Sequence, residues 1–334
     1  MTLGIGVIGA GMIGQDHIRR ITDVLPGGRV VAVTDPNRSR AEAAAEKSGA
    51  TVCDDAASLI AAPGVEAVLI CSWGPAHEEA ILPALAAGKP VFCEKPLAPT
   101  LEACRRIVDA EVRAGTRLIQ VGFMRRYDRA YQDLKAVLAS GRIGAPLMFH
   151  AAHRNASVPP DLYTSPMAIS DTMVHDIDVA RWLLDDEVAR VRVFAGKANP
   201  AASGLRDPIF AVMEMAGGAL ATVEVSVNIG YGYDIRGEIS ASNGVATLAE
   251  SNKVVVKAGD SFSGRVPADW RERFVEAYDI EIAAWIKAAS EGGATGPGAW
   301  DGYAITAVAD AALRAADTGE AVEVRLAGRP GLYA

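Results

Sequence analysis

The sequence lacks the features that mark several classes of protein. Cysteine is scarce: Cys53, Cys71, Cys93 and Cys104 are the only four in 334 residues. None belongs to a Cys-x-x-Cys pair, and three follow or end apolar, strand-like runs. This argues against disulfides and cysteine-built metal centres and predicts small buried thiols in a reducing compartment. No other ligand cluster appears either, so no metal is expected. Basic excess is also missing, with 33 Lys+Arg against 41 Asp+Glu and a formal net charge of −8. Nucleic acids and anionic membranes attract basic surfaces, so neither is the expected partner. No apolar run approaches the roughly 20 residues that span a bilayer. The apolar start, Met1 to Gly14, has no basic n-region, and its glycines have a better explanation than a signal peptide. Low-complexity tracts and internal repeats are absent. What remains is a globular chain, 50% hydrophobic and long enough for two cored domains, expected to be soluble and cytoplasmic.

The first 122 residues alternate strand and helix signals. Leu3 to Gly9 reads as a buried strand and runs straight into Gly9-Ala-Gly11-Met12-Ile13-Gly14, with a helical stretch after it. This is G-x-G-x-x-G between strand and helix, the setting in which it binds a dinucleotide. The first glycine permits the turn, the second lets a pyrophosphate approach the backbone, and the third lets helix pack on strand. The helix start then offers unpaired N–H groups to the phosphates. A second strand, Arg29 to Thr34, ends at Asp35, 21 residues after Gly14. A carboxylate there binds ribose hydroxyls and repels a 2′-phosphate, which favours NAD over NADP; Arg38 is near enough to blur that preference. Val65 to Cys71 and Lys89 to Cys93 are further apolar strands, and Arg117 to Gly122 closes the series. Doubly wound sheets bind ligands outside the carboxyl ends of their strands. The loops Ser72-Trp73-Gly-Pro75 and Glu94-Lys95-Pro96 are therefore expected beside the nicotinamide. Lys95, between a carboxylate and a stiffening proline, suits an ammonium that polarises a carbonyl or alkoxide oxygen. His77 opens the next helix, either touching the cofactor or lying at the surface; His17 reads as structural.

Residues 123–334 read as a second domain. Arg125 and Arg126 follow the last strand, so that one of them could reach the cleft between the halves; a surface pair is the alternative. In the strand Leu147 to Asn155, His153 and Asn155 share a face suited to binding a polyol, while His150 points away. Ser170 to Leu184 reads as a helix with Asp171 and His175 on one face, continued by Asp178 and Trp182, and with an apolar stripe of Met173, Ile177, Ala180 and Leu184. A carboxylate and an imidazole one turn apart suit acid–base work; a helix-favouring Asp and a satisfied core His are the bland alternative. Ala219 to Ile229 alternates with period 2, predicting a strand with one open face, and Asp234 to Ala241 repeats the pattern before a Ser242-Asn243-Gly244 hairpin turn of the Asn-Gly type. Tyr231 and Tyr233 flank a glycine bend where a phenol could reach a ligand; an edge aromatic is the alternative for either. Two helices, about Trp270 to Ser290 and Trp300 to Ala316, finish the chain. The expected fold is α/β: an N-terminal Rossmann doubly wound parallel sheet and a C-terminal α/β domain with an open, mostly antiparallel sheet.

Taken together, the chain resembles the glucose–fructose oxidoreductase/inositol dehydrogenase (Gfo/Idh/MocA) family, and within it the inositol-oxidising members. The resemblance runs the whole length. It rests on the glycine motif, Glu94-Lys95-Pro96, Gly122-Phe-Met-Arg-Arg-Tyr-Asp128, His153-Arg-Asn155, Asp171-Thr-Met-Val-His175-Asp-Ile-Asp178, Tyr231-Gly-Tyr-Asp234, Arg273 to Asp279 and Gly296 to Tyr303. It implies a homotetramer built through the open sheet. It also implies that Lys95, Asp171 and His175 act together on a secondary alcohol. The reaction that follows is NAD-dependent oxidation of a cyclic polyol, myo-inositol at C2, with His175 as base, Asp171 behind it and Lys95 on the developing alkoxide. Arg125, Arg126, His153, Asn155 and Tyr233 are the candidate substrate contacts. The segment Ser157-Val-Pro-Pro-Asp-Leu-Tyr163, with its two prolines, departs from the family pattern near the expected substrate loop. The alternatives are a sugar dehydrogenase acting at C1 of a pyranose, another inositol isomer, and a non-catalytic NAD sensor.

Overall fold

The computed structural model describes residues 2–202, 204–249 and 254–334. By contacts the chain divides into two compact units. The first is Met1–Met124, Tyr278–Thr306 and Leu326–Ala334; the second is Arg125–Ala277 and Ala307–Arg325.

In the first unit, six strands form one parallel sheet: β1 (Leu3–Ile8), β2 (Gly28–Thr34), β3 (Thr51–Val52), β4 (Ala67–Ile70), β5 (Val91–Glu94) and β6 (Ile119–Gly122), in the order β3-β2-β1-β4-β5-β6. This is the expected doubly wound order, with its switch point between β1 and β4. β1, β4, β5 and β6 are buried at every position, which is why their sequences are nearly unbroken apolar runs. The helices between them are α1 (Met12–Arg19), α2 (Arg38–Ser48), α3 (Ala56–Ala61), α4 (His77–Ala86) and α5 (Leu101–Ala114). Asn37, Asp55 and Thr100 cap α2, α3 and α5 by accepting from backbone N–H groups one turn on.

The second unit carries α6 (Arg129–Ala139), α7 (Val174–Leu184), α8 (Trp270–Arg273) and the strands β7 (Pro146–Arg154), β8 (Val188–Ala195), β9 (Ile209–Met215), β10 (Leu220–Ser226), β11 (Asp234–Ala241), β12 (Gly244–Thr247), β13 (Val255–Ala258), β14 (Ser261–Gly264) and β15 (Val322–Glu323). Seven of them form a sheet in the order β12-β11-β7-β10-β9-β8-β15. Only the β7–β10 pairing is parallel. Ala221, Val223 and Val225 of β10 are buried while Thr222 and Glu224 between them are not, as the period-2 pattern required. α7 packs on β7.

Five details differ from the sequence reading. A cut after Gly122 misassigns the helix α9 (Val275–Ser290): its Ile282, Trp285, Ile286 and Ala289 share a buried cluster with Leu3, Ile5 and Phe92 of the first sheet. Periodicity shows that a helix has an apolar face, not which sheet that face covers. The helix expected from Ser170 opens instead with a π-helical turn, Ala168–Met173, before α7 begins. The hairpin turn joining β11 to β12 is Ser242-Asn243, and neither residue has a positive φ. Its geometry is set from outside: Ser242 and Asn243 donate to the carbonyls of Ala145 and Ile143. Finally, the β13–β14 hairpin and the break between α8 and α9 have no counterpart in the sequence pattern. Among the described residues no helix is long and apolar enough to cross a membrane.

Candidate active site

The first group of candidate residues surrounds the end of β1. Gly9 has φ +97°, and a side-chain carbon on Gly14 would lie 2.0 Å from the Gly9 carbonyl oxygen. Only hydrogen fits there, so α1 starts directly against the loop. Gly11 caps α1 with no side-chain hydrogen bond, and its first turn holds no acidic residue. The helix start thus keeps its N–H groups and positive end for an anion. A diphosphate fits this cradle. Met12 is exposed on that turn and Ile13 half-buried. Asp35 accepts from Ala10 N at 2.7 Å and from Asn37 N at 2.8 Å, which pins it at the end of β2 facing the glycine loop. A carboxylate offers about four lone-pair sites, so two hydroxyls can still be bound. Arg38 is exposed and ion-paired to Glu42 at 3.0 Å and to Asp54 at 2.9 Å. Those carboxylates raise its affinity for its proton and hold its Nε and Nη1.

A second group lies at the ends of β4 and β5. Trp73 is 83% exposed, whereas His77 is only 1% exposed. The surface alternative for His77 is therefore wrong: its Nδ1 lies 2.8 Å from the Pro96 carbonyl oxygen and its Nε2 2.9 Å from that of Ser72. The Ser72 hydroxyl is buried and has no protein partner among the described residues. Glu94 is buried against His17, with Nε2 to Oε1 at 2.8 Å, and accepts from Lys95 N at 3.3 Å. His17 is structural as expected: it is fully buried, with Phe92 and Tyr278 packed edge-on at 5.7 Å. Cys71 and Cys93 are buried beside this loop, and burial pushes both thiols well up, so they stay protonated and inert.

The third group belongs to the second unit. Asp171 lies on the π-helical turn and is half-buried; His175 is on the first turn of α7 and buried. Thr172 on the same turn meets the Tyr163 hydroxyl at 2.6 Å, so the two-proline segment is tied to the turn that carries Asp171. α7 is buried on all sides from Val174 to Arg181, not only along its apolar stripe. It therefore carries carboxylates into the interior, and both tandem arginines answer them. Arg125 Nη1 lies 2.5 Å from Asp176 Oδ1, and Arg126 Nη2 lies 2.5 Å from Asp178 Oδ1. Asp176 also meets His153 Nδ1 at 2.8 Å, and Arg125 Nη2 reaches the same nitrogen at 2.9 Å. Burial alone would raise the Asp176 carboxyl, but Arg125 and His153 more than offset it and hold it low. The His153 ring is 6.3 Å from that of His175, and the Tyr233 hydroxyl is 3.5 Å from His153 Nε2. Asn155 lies just past β7; its Oδ1 is buried with no protein partner among the described residues. His150 points to the other face and meets Thr222 Oγ1 at 2.9 Å. Arg125, Asp176, His175 and Tyr233 are thus gathered into one buried polar group, with His153 at its centre.

Sequence reasoning did not single out Asp176. The available signal was two adjacent arginines matched by Asp176 and Asp178 on a helix too apolar to face water.

A sequence model of an oxidoreductase family with an NAD-binding Rossmann fold (GFO/IDH/MocA) matches residues 3–123, and that of the GFO/IDH/MocA C-terminal domain matches residues 131–247. Over 336 residues the chain is 51% identical to an inositol 2-dehydrogenase of Serratia proteamaculans, covering 100% of this chain and 99% of that protein. It is 52% identical over 336 residues to the inositol 2-dehydrogenase of Ralstonia nicotianae, again with 100% and 99% covered. Among solved structures, the myo-inositol dehydrogenase of Lactobacillus casei in complex with NAD(H) and myo-inositol superposes with a TM-score of 0.97 at 39% identity, over 100% of both chains. The scyllo-inositol dehydrogenase of the same species, with NAD(H) and scyllo-inositol, gives 0.91 at 26% identity, over 97% of this chain and 99% of that one.

Proposed function

Since this chain belongs to the GFO/IDH/MocA family of NAD-binding oxidoreductases, we propose that it oxidises myo-inositol at C2 to the corresponding keto-inositol. It is an NAD-dependent dehydrogenase acting on a CH–OH group. The full-length likeness to a solved dehydrogenase holding both NAD(H) and myo-inositol carries this reading. The gathering of His153, His175 and Tyr233 supports it, because a polyol is recognised by converging hydrogen-bond partners.

Bound NAD supplies the hydride acceptor. Gly9 to Gly14 and the start of α1 hold its diphosphate, and Asp35 holds the adenosine ribose. His175 in its neutral form takes the hydroxyl proton as the carbonyl develops. Asp171 orients the imidazole or passes the proton on, and Lys95 stabilises the alkoxide by charge. His153, Asn155 and Tyr233 bind the other hydroxyls, while Arg125 and Arg126 act through Asp176 and Asp178. The test is NADH formation with myo-inositol, scyllo-inositol and glucose, each with NAD and with NADP. Fastest turnover of myo-inositol with NAD is expected. Preference for scyllo-inositol would point to the two-proline segment as the origin of a different specificity. Tight NAD binding with no reduction across the panel would leave a sensor.

The open face of the second sheet is proposed to join copies into a tetramer. Phe194 and Phe210 stand opposite each other on β8 and β9 and are 44% and 42% exposed. A reducing, cytoplasmic setting suits Cys71, Cys93 and Cys104, which are buried as free thiols.

A further inference from the structure

The loop that carries Lys95 is gripped at both ends by buried histidines. Upstream, His17 holds Glu94 at 2.8 Å. Downstream, His77 faces the Pro96 carbonyl at 2.8 Å and, with its other nitrogen, the Ser72 carbonyl at 2.9 Å. Ser72 follows β4 and Pro96 follows β5, and these strands are hydrogen-bonded neighbours. A single ring therefore bridges two adjacent strand-end loops. Burial pushes His77 below its ordinary value, so the ring is neutral and carries one proton. Both carbonyls cannot receive it. The Cys93 sulfur lies 3.2 Å from the Glu94 carbonyl oxygen and 3.3 Å from His77 Nδ1, so with the thiol hydrogen on that carbonyl the sulfur is an acceptor toward Nδ1. In that arrangement a proton on Nδ1 serves the shorter carbonyl contact, Pro96 O at 2.8 Å, and faces Cys93 Sγ as well, which favours Nδ1 over Nε2 as its place.

We propose that His77 is a positioning residue for Lys95: by donating from Nδ1 to the Pro96 carbonyl it fixes the loop that aims the lysine ammonium at the reacting oxygen. This rests on the role given to Lys95 above. The competing view is a core histidine that merely fills space.

Two conservative variants separate these. Asparagine places an amide near the Nδ1 position and glutamine near Nε2, so His77→Asn keeps the Pro96 bond and His77→Gln keeps the Ser72 bond. NAD affinity, melting temperature, KM for myo-inositol and kcat are measured for both, beside Lys95→Met. The proposal predicts similar NAD affinity and melting temperature for both variants, and kcat about tenfold or more higher in His77→Asn than in His77→Gln, since small displacements of a catalytic group are costly. Equal losses of kcat that track melting temperature, no loss in either variant, or a faster His77→Gln each overturn it. If either variant fails to fold, a neutron structure of the wild-type enzyme decides: deuterium on Nδ1 toward Pro96 upholds the proposal, deuterium on Nε2 alone overturns it. Full turnover in Lys95→Met removes Lys95 from the mechanism and the proposal with it. An inactive Lys95→Met with no asparagine–glutamine difference removes only the histidine's role.

Discussion

Removing the Asp176 carboxylate tests whether its buried charge serves stability, catalysis or both. Asp176 and Arg125 are each 1% exposed and share a 2.5 Å contact, and Asp176 also holds His153 at 2.8 Å. Deleting one partner of such a pair leaves the other charge buried and uncompensated, at a cost of about 3–5 kcal/mol. Domain stabilities run to about 5–15 kcal/mol, so Asp176→Ala should unfold at much lower urea, followed by tryptophan fluorescence. Replacing both partners, Arg125→Met with Asp176→Leu, removes both charges and both desolvation costs. That exchange is often neutral or stabilising, so the double variant should recover to within about 1 kcal/mol of the wild type. Its turnover should not recover, because His153 has lost the group that orients it beside His175. The pH dependence follows with a definite sign. The folded Asp176 carboxyl lies below its ordinary 3.8, so its contribution is present above that value and is lost as pH falls through the folded one. Wild-type stability should drop more steeply in acid than that of the double variant. A double variant as unstable as Asp176→Ala would show that shape, not charge, governs the site. A double variant with normal turnover would show that His153 needs no orienting.

Other outcomes are open to direct measurement. His175→Ala should lower kcat by about 10²–10⁴-fold while NADH fluorescence titration gives unchanged affinity; near-normal turnover would remove His175 as the base. Asp35→Ala should raise the KM for NAD and narrow the preference over NADP, measured as the ratio of kcat/KM values, because the ribose hydroxyls lose their acceptor and the 2′-phosphate its repulsion. Phe194→Lys with Phe210→Lys should yield smaller species by light scattering, and an unchanged mass would place the subunit contact elsewhere.

Where chemistry and backbone are local, the fold was legible. Buried parallel strands need apolar residues on both faces, so β1 and β4 appear as unbroken runs. A strand covered on one face alternates, so β10 appears with period 2. The glycine loop and Asp35 could be read because a turn, a helix start and a strand end are set by neighbours in sequence. The β13–β14 hairpin could not, since every position in it is exposed and no face distinguishes it. α9 could not be assigned because the partner of an apolar face is a property of the whole packed chain.

The ion pairs of the second unit were illegible for a more instructive reason. Arg125 and Asp176 are 51 residues apart and Arg126 and Asp178 are 52 apart, so no local pattern announces the pairs. Yet the pairs do what apolar contacts around α7 cannot. A helix buried on every side by interchangeable aliphatic side chains can slide or turn at modest cost, since cores tolerate repacking that conserves volume. Two buried carboxylates, each matched to its own guanidinium, do not tolerate it: a shift of one residue strands both charges, at about 3–5 kcal/mol apiece. His175 is the neighbour of Asp176, so the register of the ion pairs is also the register of the imidazole. We therefore expect Arg126→Met with Asp178→Leu to fold normally but lose turnover as α7 loses one of its two locks. Wild-type activity in that variant would assign the register of α7 to packing alone.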